Sequence, residues 1–358
     1  MSPGGDSGNT ALINDKESEM KIIDLENHFF TKEYIKYLRN RKEPPRETEE
    51  EGGYTMWYTD VLNSPRSPEL ANRLLDLGES RLKQMDEGGL EIQVLSLSPP
   101  GVQAFDADEG TAWARSVNDE LAKFVKKHPD RFIGLACIAP QSPEEAADEI
   151  ERAVSELGLK GVIIESHARN EYLDNRKYWC IFERAEKLDV PLFLHPEIPS
   201  TSIVQGYAAD YGFELAGPTL GYGADLALHT MRLIYSGLFD KYRKLKMVLG
   251  HMGEGLPFWL SRIDAFWVKP WKGNKPRIEK KPSDYIKSNF TITIGGMFFA
   301  PAFFCAYLAL GADRIAFASD YPYEKFEEGI RFMKEAPISD LDKEKICYSN
   351  AAKLLKIS

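Results

Sequence analysis

Eight short apolar, β-branched runs recur along this chain, and a stretch with helical periodicity follows each of them. The runs are Lys21–Phe29, Ile92–Ser98, Arg131–Ala139, Lys160–Ser166, Pro191–Glu197, Lys246–Met252, Phe290–Met297 and Arg314–Tyr321. The helical stretches are Pro68–Glu87, Thr111–Lys127, Pro143–Glu156, Asn175–Leu188, Ala224–Asp240, Leu256–Trp267, Pro301–Leu310 and Lys325–Lys334. A last helix, about Asp340 to Leu355, closes the series. Near-continuous apolar strands separated by helices imply a parallel sheet covered on both faces. Eight such units imply an α/β fold of the (β/α)8 (TIM) barrel type with inserted loops. A doubly wound open sheet is the alternative. It would more usually show fewer strands, and no G-x-G-x-x-G follows the first run.

The remainder of the chain is read around that frame. Residues 1–20 are rich in Gly, Ser, Asn, Asp and Glu and read as a disordered lead. Residues 21–358 read as a single barrel domain. Residues 40–53, charged and with two prolines and two glycines, read as a loop or insertion. The chain has 358 residues, 43% of them hydrophobic, which suffices for one large core. Its formal charge of −10 argues against nucleic acid or an anionic membrane as partner. The four cysteines, Cys137, Cys180, Cys305 and Cys347, form no C-x-x-C pair, and Cys137 and Cys305 read as core thiols. A reducing, cytoplasmic compartment fits. There is neither a membrane-spanning apolar run nor a secretory-type N-terminus.

A barrel of this type places its active site at the C-terminal ends of the strands. The first run ends Asp24-Leu25-Glu26-Asn27-His28, and Glu26 and His28, two apart, share a face. The fifth ends in His195, the sixth in His251 and the eighth in Ser319-Asp320. Charged groups in a barrel mouth need a partner or a metal. Glu26, His28, His195 and Asp320 make a mixed nitrogen and oxygen set for one divalent cation, zinc or manganese, with magnesium as a further candidate. The competing reading treats each as a satisfied polar residue at a strand end. His251 reads as a catalytic group rather than a fifth ligand, because Glu254 follows it by three residues and can orient it. The glycines and proline of His251-Met252-Gly253-Glu254-Gly255-Leu256-Pro257 hold an open turn there. Arg262 shares a helical face with Trp259 and could clamp a substrate carboxylate at two points. An ion pair with Asp264 is its bland alternative. His167 ends the fourth run and is either near the site or a loop residue. His128 reads as structural, and His229 as packed on the barrel exterior.

At these residues the chain resembles the metal-dependent decarboxylase branch of the amidohydrolase superfamily, which includes γ-resorcylate, 2,3-dihydroxybenzoate and 5-carboxyvanillate decarboxylases. The resemblance runs from about Lys21 to Ile357. It is densest at Arg81–Asp86, Leu95–Ser98, His128–Phe132, Lys187–Pro191, Ser236–Asp240 and Leu249–Pro257. It implies that Glu26, His28, His195 and Asp320 bind the metal, that His251 and Glu254 are a catalytic pair, and that Arg262 meets the substrate carboxylate. The E-x-H form at Glu26 and His28 points to the hydroxybenzoate group. The implied activity is reversible, non-oxidative decarboxylation of an aromatic hydroxy acid. CO2 is the product, Asp320 or His251 the proton donor, and a homodimer or homotetramer the assembly. A metal-dependent lactone or amide hydrolase, or a hydratase of an unsaturated dicarboxylate, is the alternative on the same barrel. The region around Tyr54, Trp57 and Tyr58, and the segments Glu165-Ser166-His167 and Glu197-Ile198-Pro199-Ser200, depart from the resemblance.

Overall fold

In the computed structural model, which describes residues 20–269 and 278–357, eight parallel strands stand in chain order around a barrel. They are β1 (Ile23–Phe29), β5 (Ile92–Leu97), β6 (Phe132–Cys137), β7 (Gly161–Glu165), β8 (Leu192–His195), β9 (Met247–Leu249), β10 (Phe290–Thr293) and β11 (Ile315–Ala316). Every residue in them is buried, as expected for strands covered by helices outside and side chains inside. All eight coincide with the apolar runs.

β11 has only two residues, and the segment after it closes the ring. The Leu25 N–H donates to Phe317 O (3.1 Å), the Asp320 N–H to Glu26 O (3.1 Å), and the His28 N–H to Tyr321 O (2.7 Å). A bulge between Asp24 and Asn27 shifts the register of β1 against β5. Such a bulge re-aims the side chains beside it, here Glu26. The buried Asp24 carboxylate accepts from the Glu26 N–H, the Ser319 N–H and the Ser319 hydroxyl. It thereby ties β1 to the segment that ends at Asp320, and burial pushes its pKa up to about 7.

The stretch 40–53, read as a loop or insertion, belongs to an insertion with strands of its own. β2 (Arg46–Glu50), β3 (Gly53–Trp57) and β4 (Asn63–Arg66) form an antiparallel sheet beside the barrel. Its buried acid, Glu47, is matched by Arg39 at 2.7 Å and Arg66 at 3.7 Å. Three helices also lie where none was expected: Lys32–Asn40, Thr201–Glu214 and Pro282–Asn289. The Thr31 side chain caps the first of them by accepting from the Tyr34 N–H, a contact worth about 1 kcal/mol. Cys137 and Cys347 are buried, but Cys305 is only half-buried on the helix Ala300–Leu310, and all four cysteines are free. No helix among the described residues is long and apolar enough to cross a membrane. The lead expected at 1–20 lies, but for Met20, outside the described residues.

Candidate metal centre

Four side chains converge at the C-terminal mouth of the barrel. Glu26 and His28 come from β1, His195 from the end of β8, and Asp320 from the closing segment. One donor atom from each lies within 4.8 Å of every other. His28 Nε2 is 3.1 Å from Asp320 Oδ1, and His195 Nε2 is 3.5 Å from Glu26 Oε1. The two imidazoles meet edge to face, with centroids 4.7 Å apart. Gly295 makes room for Glu26, because a Cβ there would come within 2.7 Å of Glu26 Oε2. Two carboxylates and two imidazoles gathered in a buried mouth leave anionic charge that a divalent ion would neutralise. A span under 5 Å suits donors that each sit about 2.0–2.2 Å from a shared ion. The donor set therefore fits a metal.

The next group around the basin is His251. Residues His251, Met252, Gly253, Glu254 and Gly255 all have positive φ, from 48° to 74°, so the turn is left-handed. Three of the five are not glycine, which L-residues adopt only where the surroundings hold them. The turn brings Glu254 back onto its own histidine: His251 Nδ1 lies 2.7 Å from Glu254 Oε1. His251 Nε2 faces Asp320 Oδ2 at 3.9 Å. Asp320 also sits at positive φ, 70°. Burial works against a charged His251, but Glu254, Glu26 and Asp320 outweigh it and hold its pKa well above the usual range. Burial also opposes a charged Asp320, and there His251 and His28 win and hold the carboxyl below the usual range. In His195, burial is outweighed chiefly by Glu165 and then Glu26, and the pKa rises to about 8.

Sequence reasoning did not find the wall of the basin. The Tyr323 ring lies 5.6 Å from His28, and its hydroxyl is 2.6 Å from Ser98 Oγ. Arg66, buried at the end of β4, donates to Tyr58 Oη and to Pro99 O. Tyr58 stacks on Phe213, which meets Tyr222 edge-on. The antiparallel insertion thus brings Arg66 and Tyr58 near Tyr323, which stands beside His28, and the unusual Tyr54–Tyr58 stretch was the only sign of it.

The remaining sequence candidates are not among the four converging donors. Arg262 is exposed on the helix Leu256–Trp267, with its guanidinium over Phe266 at 4.8 Å. Asp264 instead accepts from the Ser283 N–H and hydroxyl. His167 is buried beside Glu197 (3.1 Å) and near Ile198 O (3.1 Å), where it fastens the loop after His195. His128 follows the helix Ala107–Lys127 and packs on Phe124 and Phe132. His229 is fully buried outside the strands, with Nε2 accepting from the Leu173 N–H (3.1 Å).

A (β/α)8 barrel with a convergent Glu/His/His/Asp cluster defines the class as a barrel hydrolase or lyase of the metal-dependent kind. The family model described as amidohydrolase matches residues 23–357, and the chain belongs to that family. A γ-resorcylate decarboxylase from Polaromonas sp. is 41% identical over 300 residues, covering 81% of this chain and 91% of that protein. The solved 5-carboxyvanillate decarboxylase from Sphingomonas paucimobilis superposes with a TM-score of 0.84 at 35% identity, covering 95% of this chain and all of that one. A dihydroxybenzoic acid decarboxylase from Polaromonas sp., solved with manganese and the inhibitor 2-nitroresorcinol, gives a TM-score of 0.82 at 38% identity. It covers 94% and 97% of the two chains.

Proposed function

We propose that this protein is a metal-dependent carboxy-lyase that releases CO2 from an aromatic hydroxy acid of the hydroxybenzoate type. The observation that carries the reading is the convergence of Glu26, His28, His195 and Asp320 beside the His251–Glu254 pair. The three relatives described above, all decarboxylases of such acids, support it. A divalent ion held by the four side chains would supply Lewis acidity toward the carboxylate and the ortho hydroxyl. Manganese is the first candidate, because the Polaromonas relative was solved with it.

The protein's own groups handle the proton. Direct loss of CO2 would leave charge in an sp2 orbital of a flat ring, with little stabilisation. Protonating the carboxylate-bearing carbon first lets the C–C bond break into the ring π system. The ring gains one proton and CO2 leaves. Asp320 is the donor in this scheme, since a carboxylate of the cluster can lie close to the ring and takes its proton from His251, whose Nε2 is 3.9 Å away. His251, oriented by Glu254, is the reservoir that resupplies it. Arg262 is retained as the candidate carboxylate clamp. Self-association through the exposed Phe258 and Trp259 of the same helix completes the reading.

The test combines metal analysis with a CO2-release screen of salicylate, 2,3- and 2,6-dihydroxybenzoate and 5-carboxyvanillate. Turnover of at least one acid is expected, with deuterium entering the ring in D2O. His251→Asn and Asp320→Asn should each cost at least about 100-fold in kcat. Near-wild-type rates in both variants, or no turnover by metal-loaded protein, would overturn the reading.

A further inference from the structure

A histidine that donates one nitrogen to a metal leaves the other nitrogen to be governed by the protein. His195 Nε2 faces the cluster, and His195 Nδ1 lies 2.8 Å from Glu165 Oε2. The pairing is built by the sheet. β7 and β8 are parallel, and Glu165 is the direct register partner of His195. Gly101 leaves space for the side chain. A Cβ at Gly101 would approach Glu165 Cγ to 2.7 Å. The backbone beneath it is clamped: Gln103 Oε1 accepts from the Glu165 N–H (2.6 Å), and Gln103 Nε2 donates to Glu165 O (2.8 Å) and His167 O (2.9 Å). The Ser166 N–H donates to His195 O (2.8 Å), locking the two strand ends together.

Glu165 is otherwise an expensive residue. It is buried, and its Oε1 has no hydrogen-bond partner. A buried carboxylate with a single imidazole contact contributes little net stability. The same carboxylate makes sense when that imidazole is bound to a cation on its far side. His28 offers the contrast: its Nδ1 faces only the Ser96 hydroxyl, at 3.3 Å.

We infer that Glu165 is the positioning residue of the metal centre. It accepts from His195 Nδ1–H, fixes the tautomer whose Nε2 lone pair points into the cluster, and strengthens that nitrogen as a donor. Ser96 does the same for His28 more weakly, through a neutral hydroxyl. Glu165 acts through His195, the only hydrogen-bond partner of its carboxylate among the described residues. The inference rests on the metal-binding half of the proposed function and not on the reaction.

The experiment measures metal affinity without substrate. Metal-stripped protein is titrated with Mn2+ against a competing chelator. Glu165→Ala is expected to weaken binding by about 10–100-fold, as loss of such partners does elsewhere. Glu165→Gln keeps an acceptor but not the charge, so a smaller loss, about 3–10-fold, is expected on the same basis, and Ser96→Ala should stay within about threefold. In zinc-loaded, 15N-histidine-labelled protein, a downfield Nδ1–H signal should be present in wild type, weaker in Glu165→Gln and lost in Glu165→Ala. A merely structural role would move the thermal midpoint of the metal-free protein and leave that signal and the affinity alone. Affinity within twofold of wild type in Glu165→Gln, whether or not Glu165→Ala folds, overturns the inference. Wild type that binds Mn2+ in this Glu165-dependent way yet decarboxylates nothing would sink the proposed function and leave the inference standing.

Discussion

Gly253→Ala probes the left-handed turn that carries His251. Gly253 sits at φ +72°, and a Cβ there would lie 3.1 Å from Ile292 Cγ2 and 3.2 Å from Pro257 Cδ. An alanine in that region costs about 1–2 kcal/mol. Unfolding entropy of about 2.1 cal/mol/K per residue gives a chain of 358 residues about 0.7 kcal/mol per kelvin. The melting temperature should therefore fall by about 1.5–3 °C. The second effect is geometric. Ile292 and Pro257 must yield by a few tenths of an ångström, or the turn must, and the turn bears the His251–Glu254 pair. If a 1 Å misplacement costs about 100-fold, a shift of a few tenths should cost about three- to tenfold in kcat. Gly158→Ala is the matched control. Gly158 sits at φ +78° with nothing within 4 Å of an added Cβ. It should lose the same melting temperature with unchanged kcat. Calorimetry and steady-state CO2 release on the two variants separate the effects. If Gly253→Ala melts like the control and keeps kcat within twofold, the turn does not set the geometry of His251.

Removing the metal by dialysis against a chelator should lower the melting temperature and abolish turnover. At 100 times its Kd an ion adds about 2.7 kcal/mol, or about 4 °C for a chain of this size, and no shift between metal-free and reloaded protein would count against the site. Acid sensitivity should trace partly to His229. Burial, with His167 and Arg232 nearby, lowers its pKa to about 3. The unfolded chain takes up that proton near pH 6.5 and the folded chain does not. Its contribution is therefore intact above pH 6.5 and lost as pH falls toward 3, at up to about 1.4 kcal/mol per pH unit. His229→Gln should flatten the urea-unfolding midpoint between pH 6.5 and 5, and an unchanged slope would refute this. Arg262→Ala should raise KM with kcat retained if Arg262 holds the substrate carboxylate in the ground state, and an unchanged KM removes Arg262 from the site.

The barrel was legible because strands buried on both faces must be apolar almost throughout, as in Ile92–Leu97 and Phe132–Cys137. The four donors were legible because an acid or imidazole that ends such a run stands out against it. The insertion was legible as an interruption, but its strands were not. β2 reads Arg46-Glu47-Thr48-Glu49-Glu50, and its buried Glu47 is affordable only through Arg39 and Arg66, which no local pattern announces. The helix Thr201–Glu214 hid for a different reason: it contains Gly212 at φ 67°, where the helical geometry breaks. For Arg262, periodicity gave the right companions and said nothing about which way they face. Phe258, Trp259 and Phe266 are all exposed, so the aromatic side of that helix looks outward. Glu165 gained its meaning only when strand register set it beside His195.

The seam of the barrel has a consequence for how the chain comes into being. Glu26 and His28 are made early, His195 midway, and Asp320 near the end, on the segment that closes the ring against β1. A chain cut before residue 320 can present at most three of the four donors and lacks the Asp320 and Tyr321 backbone bonds that hold β1 in place. Full coordination is thus withheld until the closing segment has been made. An ion that then settles in the mouth fastens the first strand to the last, across almost 300 residues of sequence. Loading with metal would act as an inspection of the closed barrel, passed only by chains whose first and last strands have met.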